Sequence, residues 1–423
     1  MKIPEGDQLP VAGNGLLHRR LFLKTGLVAG GALLVAGAAG AAQEPPRRAP
    51  WMRAPGEGMS PAGAPSSHER FVERAPIGSQ PGTAGTGVSR TPLQHLDGII
   101  TPSRLHFERH HAGIPDIDPD GHRLYIHGLV ERPLSFDVAA LHRYPQVSAI
   151  QFLECSGNSA ALTAPNPVLE TCAAIHGLIS ASEWGGVPVA VLLDEAGVKP
   201  EGKWIVADGA DSAVMARSIP LAKVMDDAIV ALYQNGERLR PANGYPMRLF
   251  LPGWEGNASV KWLRSIRVTG QPAMTKDETS KYSDLRDDGV AELFTFPMAV
   301  KSVITSPSPG LSLRDPGVYQ ISGLAWSGHG RIRRVEVSAD GGASWAEAAL
   351  DTHVLPKCVT RFRAAWRWDG GPAVLMSRAE DETGALQPTR AAAMAGRERA
   401  FYHFNGIQAW RVDETGASSN VYI

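Results

Sequence analysis

Cysteine is scarce in this chain: 423 residues carry three, Cys155, Cys172 and Cys358. An odd count cannot complete a disulfide framework, and spacing leaves open whether Cys172 and Cys358 pair. No Cys-x-x-Cys pair occurs, which excludes the usual zinc and iron–sulfur loops. No Cys-x-x-Cys-His occurs either, so this chain attaches no c-type haem. An excess of one charge is also lacking: 42 basic residues face 43 acidic ones, with no long block of either. That balance argues against nucleic acid as a partner. Neither a GxGxxG turn nor a P-loop is found, which removes the common dinucleotide and nucleotide sites.

What is present suits a packed protein of two or three domains, with 43% hydrophobic residues. The start carries His18-Arg19-Arg20-Leu21-Phe22-Leu23-Lys24, then a Gly/Ala-rich apolar run from Leu27 to Ala42. This reads as a twin-arginine signal over residues 1–42, with small residues at Ala39 to Ala42 for cleavage. Glycine and alanine make the run weakly hydrophobic for a membrane span; an anchor helix is the alternative. Twin-arginine export moves folded proteins, which suits a chain that loads a bulky cofactor before reaching the periplasm.

Residues 43–95 are rich in Pro, Gly, Ala, Ser and Arg over most of their length and read as an extended arm or linker. From about residue 96 short strands and helices mix. Arg123–Val130 reads as a strand, Ser135–Leu141 as a helix entry, and Val147–Leu153 as an alternating strand leading to Cys155. Val187–Ala196 reads as a helix stopped by Gly197. Trp204–Ala207, Ala228–Tyr233, Met247–Leu251 and Ser259–Val268 read as strands. This mixture predicts an α+β fold. A Ser/Pro-rich linker near 297–309 follows. Beyond it, alternating strands at Val318–Trp326 and Ile332–Ser338 with Gly turns predict an all-β, Ig-like sandwich over residues 297–423.

Cys155 stands between an apolar strand and a Ser156-Gly157-Asn158 turn, a placement that offers one soft thiolate to a metal cofactor. A buried small hydrophobe is the ordinary alternative. Arg248 offers a planar fork of donors to an anion, and Lys261 a point charge. His110 and His111 could be zinc ligands, but neighbours on a strand face opposite sides.

The run Cys155-Ser156-Gly157-Asn158 resembles the metal loop of the sulfite oxidase family. Phe107-Glu108-Arg109-His110-His111 resembles its entry segment. Asn243 to Arg248, Pro252-Gly253-Trp254 and Val260 to Leu263 resemble its pterin-binding segment. Ala325 to Gly328 with Val337 to Gly342 resemble its C-terminal dimerisation domain. The resemblance implies a molybdopterin domain over residues 96–296 followed by the Ig-like dimerisation domain. It implies molybdenum–molybdopterin as cofactor, with Cys155 as the metal ligand. Phe107, Arg109, His111, Asp211, Asn243, Arg248, Ser259 and Lys261 match its cofactor-contacting positions. Asn243 stands where the family usually has histidine. Arg109 and Tyr282 match catalytic positions, the phenol assisting proton movement.

The departures bear on substrate. Relatives that bind free sulfite follow the metal loop with two arginines, where this chain has Ser159 and Ala160. A further arginine is replaced within His403-Phe404-Asn405-Gly406. A small dianion needs several charged donors to offset its desolvation. Their loss suits sulfur presented on a larger carrier, and the resemblance then implies oxidation of a protein-bound cysteine persulfide toward a sulfonate. Water would supply oxygen, and electrons would pass to a c-type cytochrome subunit. It also implies a homodimer of this subunit within a larger hetero-oligomer. A sulfite dehydrogenase and a cofactor-free binding module are the rival readings.

Overall fold

The computed structural model describes residues 10–18, 52–55, 58–77, 84–397 and 402–423. The arginine pair and the Leu27–Ala42 run lie outside the described residues. Among the described residues, no helix is long and apolar enough to cross a membrane.

The fold is α+β in its first part and almost entirely β in its second. Two five-stranded sheets organise the first part. One runs Ala216–Pro220, Trp204–Gly209, Leu263–Thr269, Leu124–Gly128, Leu134–Phe136. In it only Leu263–Thr269 and Leu124–Gly128 pair in parallel. The other runs Glu237–Arg238, Ile229–Gln234, Ile179–Pro188, Val147–Glu154, with Arg248–Phe250 added on Ile229–Gln234. This second sheet carries the Cys155 turn, because the Val147–Glu154 strand ends immediately before it. The helix Val189–Ala196 buries Val189, Leu192, Leu193 and Ala196 on one face and stops at Gly197 (φ 70°), where a left-handed cap favours glycine.

The second part is two facing sheets. One contains Lys301–Ser306, Gly317–Trp326 and Thr360–Trp368; the other contains Ile332–Ser338, Ala373–Asp381, Ala409–Val412 and Ser418–Val421. Their inner faces meet in a core that holds Trp326, Trp366 and Trp410. Phe152, Leu162 and Ile175 of the first part join the same core, so the Cys155 strand rests directly on the second part.

Several boundaries differ from the sequence reading. Ser135–Leu141 splits into a strand (Leu134–Phe136) and a helix (Val138–Leu141), because Asp137 accepts from the Ala140 N–H and caps the helix. Val187 and Pro188 finish a strand before the helix begins. The strand expected at Ser259–Val268 starts only at Leu263, since Trp262 (φ 51°) breaks the extended run. The reading of 43–95 as a loose arm fails at its end. Ala75–Ile77 and Gly87–Arg90 form a sheet with Glu108–His110, and Val88 and Leu93 are buried. Cys172 and Cys358 are free and buried, and burial pushes both thiols up to about 12.

Candidate active site

A cleft opens beside the Cys155 turn. Phe107, Arg109, His111, Cys155, Asp211, Asn243, Arg248, Ser259, Lys261 and Tyr282 all line it, so the ten candidate residues are brought together from six separate segments. Ser159 and Ala160 do not line it. Ser159 (φ 66°) places its hydroxyl 2.7 Å from Lys301 Nζ and 2.7 Å from His176 Nδ1.

The turn is held rigidly. The Cys155 N–H donates to the Leu178 carbonyl at 2.9 Å, and the Asn158 N–H donates to the Cys155 carbonyl at 2.8 Å. The buried Asn158 amide donates to Glu154 Oε1 at 2.9 Å and accepts from the Leu178 N–H at 3.1 Å. Glu154 in turn accepts from Trp326 Nε1 at 2.7 Å and pairs with Lys301 at 3.3 Å, both from the second part. Gly256 donates its N–H to the Glu154 carbonyl at 2.6 Å; a Cβ there would lie 2.8 Å from that oxygen, so only glycine fits. Burial raises the Cys155 thiol, opposed by the Gly157 N–H and the Arg109 charge.

One wall is cationic without anionic partners. Arg248 is 2% exposed and, among the described residues, donates only to backbone carbonyls, those of Asn243 at 3.0 Å, Ser259 at 2.7 Å and Leu249 at 3.5 Å. Burial lowers its pKa to about 9. Lys261 donates to the Arg109 carbonyl at 3.1 Å and to His110 Nδ1 at 2.7 Å; burial, then Arg248, pushes its pKa well down. Arg109 donates to the His110 carbonyl. Among the described residues, no carboxylate lies within ion-pair distance of these three cations. Buried charge this poorly compensated is costly unless an anion fills the space. His106, also on the wall, leaves Nε2 buried without a partner. The wall therefore fits a large anionic cofactor with hydrogen-bonding edges, and the Cys155 thiol fits the metal it would carry.

The histidines have defined roles. Lys261 donates to His110 Nδ1, so His110 Nε2 carries the hydrogen and donates to Glu108 Oε2 at 3.1 Å. Both nitrogens are used, which leaves His110 no lone pair for zinc. No cluster of three or more His, Cys, Asp or Glu side chains able to hold a metal ion exists among the described residues. Burial opposes ionisation of Glu108, yet hydrogen bonds from His110 and Arg74 hold its carboxyl down to about 2. Lys281 donates to His111 Nδ1 at 3.2 Å, so His111 Nε2–H donates to the Tyr282 oxygen at 3.0 Å. Tyr282 keeps its own O–H free to donate into the cleft. Burial raises its pKa well above 10, and burial with nearby cations lowers His111 to about 3, so the pair is neutral in ordinary buffer.

Four residues escaped the sequence reading. Arg217 is fully buried, lies 4.8 Å over the Tyr282 ring and meets Glu255 and Glu278, each at 3.5 Å. Asn257 accepts from Arg217 and donates to Ser156 Oγ at 3.0 Å, which ties the phenol's support to the Cys155 turn. Tyr402, from the segment ahead of the Ala409–Val412 strand, packs against Gly157 and lies 5.5 Å from the Tyr282 ring. Arg90 has buried Nε and Nη1 atoms without partners and feels the charge of Cys155. The His110-His111 neighbourhood flagged none of them; the arginine replaced within His403-Phe404-Asn405-Gly406 was the one local hint of Tyr402.

Residues 111–276 match the family described as the oxidoreductase molybdopterin binding domain, and residues 293–409 match the Mo-co oxidoreductase dimerisation domain. Sulfite oxidase of Gallus gallus is 31% identical over 330 residues, covering 73% of this chain and 68% of that protein. Mitochondrial sulfite oxidase of Mus musculus is 30% identical over 290 residues, covering 64% and 52%. The chain thus spans about half the length of the mammalian relatives it matches. The crystal structure of the sulfane dehydrogenase SoxCD from Paracoccus pantotrophus is similar at 46% identity and a TM-score of 0.87, covering 89% of this chain and 97% of that one.

Proposed function

Since the chain belongs to the sulfite oxidase family of molybdopterin oxidoreductases, we propose that it oxidises sulfane sulfur carried as a cysteine persulfide on another protein. Each oxygen gained by that sulfur comes from one water, with release of two protons and two electrons, and the end product is a sulfonate. The electrons leave to a c-type cytochrome, since this chain has no haem-attachment motif. The proposed setting is the periplasm, reached folded through the twin-arginine signal at 1–42. The remaining division is an arm from 43 whose last strands join the Glu108–His110 sheet, a catalytic domain to 296 and a dimerisation domain at 297–423.

The molybdenum–pterin group supplies the oxo transfer and two-electron chemistry when bound. Cys155 contributes the protein's thiolate to the metal. Arg248 and Lys261 hold the anionic pterin end, with Phe107, Asp211, Asn243 and Ser259 shaping its bed. His111 donates to the Tyr282 oxygen and so aims the phenol O–H at the reacting side, where it can give and take a proton. Arg109 faces the substrate and steadies its negative charge.

One observation carries the substrate reading. The positions where free-sulfite relatives have paired arginines are Ser159 and Ala160, and neither faces the cleft. The likeness to a sulfane dehydrogenase supports the same reading. The test is steady-state turnover of the purified cytochrome-bound enzyme, with molybdenum quantified in each sample. Faster turnover of a persulfidated carrier than of free sulfite is expected. The reverse preference would make it a sulfite dehydrogenase, and a protein without molybdenum would make it a binding module.

A further inference from the structure

The residues that precede the arginine pair are built into the second part of the fold. Pro10–Ala12 and Leu16–Leu17 form a hairpin whose second strand lies on the Thr360–Trp368 strand, with Leu16 paired to Trp366. Leu16 and Leu17 are 0% and 3% exposed. Neighbouring strand residues point to opposite faces. Leu16 therefore enters the core between the sheets, while Leu17 packs outside on Ala365 and Val318. The turn is fitted as closely. The Trp366 indole donates to the Asn14 carbonyl at 2.7 Å, and Asn14 Nδ2 donates to the Ala339 carbonyl at 2.9 Å. A Cβ on Gly15 (φ 86°) would lie 2.1 Å from the Arg367 carbonyl, so this approach admits only glycine.

Ala349–Leu350 pairs with this edge at Phe362 and Arg363, and the stretch beyond it, around Trp366, is where Leu16 pairs. That stretch is a built site for an extended peptide, since a free strand edge accepts a further strand and apolar pockets choose its side chains. Its occupant lies just ahead of the Arg19-Arg20 pair in the sequence. We propose that the edge of Thr360–Trp368 is a strand-addition site whose ligand in the unprocessed chain is Pro10–Leu17. The stretch leading the arginine pair is then docked on the folded second domain, and removal of residues 1–42 leaves the site open. The second clause rests on the export reading above; the docking itself does not.

Hydrogen exchange on the full-length precursor tests the docking. With Leu16→Asp and Leu17→Asp together, amides at 365–367, beside the Leu16 pairing, are expected to exchange at least tenfold faster, while those at 362–363, held by Ala349–Leu350, and those of 373–381 in the opposite sheet keep their rates. Unchanged exchange at 365–367 overturns the proposal. A fluorescent peptide of residues 9–18 added to the processed holoenzyme tests the vacated site. Saturable binding that the doubly substituted peptide loses at least tenfold is expected, and no saturable binding overturns it. The intact mass of the periplasmic enzyme separates this from the export reading: a chain that still contains residues 10–17 shows a site never vacated and overturns the second clause alone. Loss of persulfide turnover would leave all three readouts untouched.

Discussion

His111 Nε2 and the Tyr282 hydroxyl meet at 3.0 Å, and the direction of that bond is set from behind by Lys281 on His111 Nδ1. The ring thus works as an orienting group, and the phenol hydrogen points elsewhere. Removing the hydroxyl should leave the cofactor in place and slow the chemistry. Tyr282→Phe is expected to lower kcat about a hundredfold, in the range usual for a positioned proton donor, with molybdenum content unchanged. Equal kcat in the variant would take Tyr282 out of the reaction.

Cys155→Ser separates ligation from packing. The turn is held mainly by backbone bonds and by Asn158, which do not use the sulfur, and a serine oxygen can still accept from the Gly157 N–H. The variant should fold, with an unchanged far-ultraviolet circular dichroism spectrum, and should lose molybdenum and turnover together. Wild-type metal content in that variant would refute the assignment of the ligand.

Arg248 offers a contrast between apo and loaded protein. A buried guanidinium without a carboxylate costs several kcal/mol, while its carbonyl bonds return about 1 kcal/mol each. Arg248→Met is therefore expected to change the apo protein's unfolding free energy by no more than about 1 kcal/mol. It should weaken cofactor retention by at least tenfold in dialysis. A large loss of apo stability would mean the arginine is structural.

The Lys301–Glu154 pair bridges the two parts, with both side chains 3% exposed or less. Lys301→Met strands Glu154 without its cation and should destabilise by about 3–5 kcal/mol in urea unfolding. Adding Glu154→Gln should recover part of that. Additive losses in the double variant would show that the two residues are not coupled.

His106 and His176 predict the acid side of the stability curve. Burial lowers His106 to about 3, and burial followed by the Lys301 charge lowers His176 far below its usual value. Between pH 6.5 and about 3 the unfolded chain takes up protons that native His106 refuses. Stability therefore rises with pH there and is lost as pH falls, by about 1.4 kcal/mol per pH unit for each such histidine. The measurement is urea unfolding of the apo protein at several pH values. A flat profile below pH 6.5 would contradict it; His176→Gln should make the slope shallower.

The site was legible where one short run holds several of its residues. Phe107, Arg109 and His111 share one strand-end segment, and Asn243, Arg248, Ser259 and Lys261 flank one loop, so the family resemblance carried by those short runs pointed to them. The helix stop at Gly197 and the alternating strands of the second part were legible from local pattern. Arg217, Arg90 and Tyr402 were not, because each is ordinary within its own neighbourhood. Their meaning comes from what lies across the fold: a phenol ring, a thiol, a glycine turn.

By itself the sequence determined the chemistry this protein can offer: one thiol beside a Ser-Gly-Asn turn, an arginine and a lysine suited to an anion, a phenol, and an α+β part followed by a β sandwich. Those follow from residue type and short-range spacing, which act within a few residues. Only the tertiary structure decided that Ser159 faces Lys301 and His176, that the end of the arm joins the Glu108–His110 sheet, and that Leu16 and Leu17 seal the Trp366 edge. These depend on contacts between separate segments, from 17 residues apart for Ser159 and His176 to the Leu16–Trp366 pairing across most of the chain, where burial and pairing rather than local propensity choose the partner.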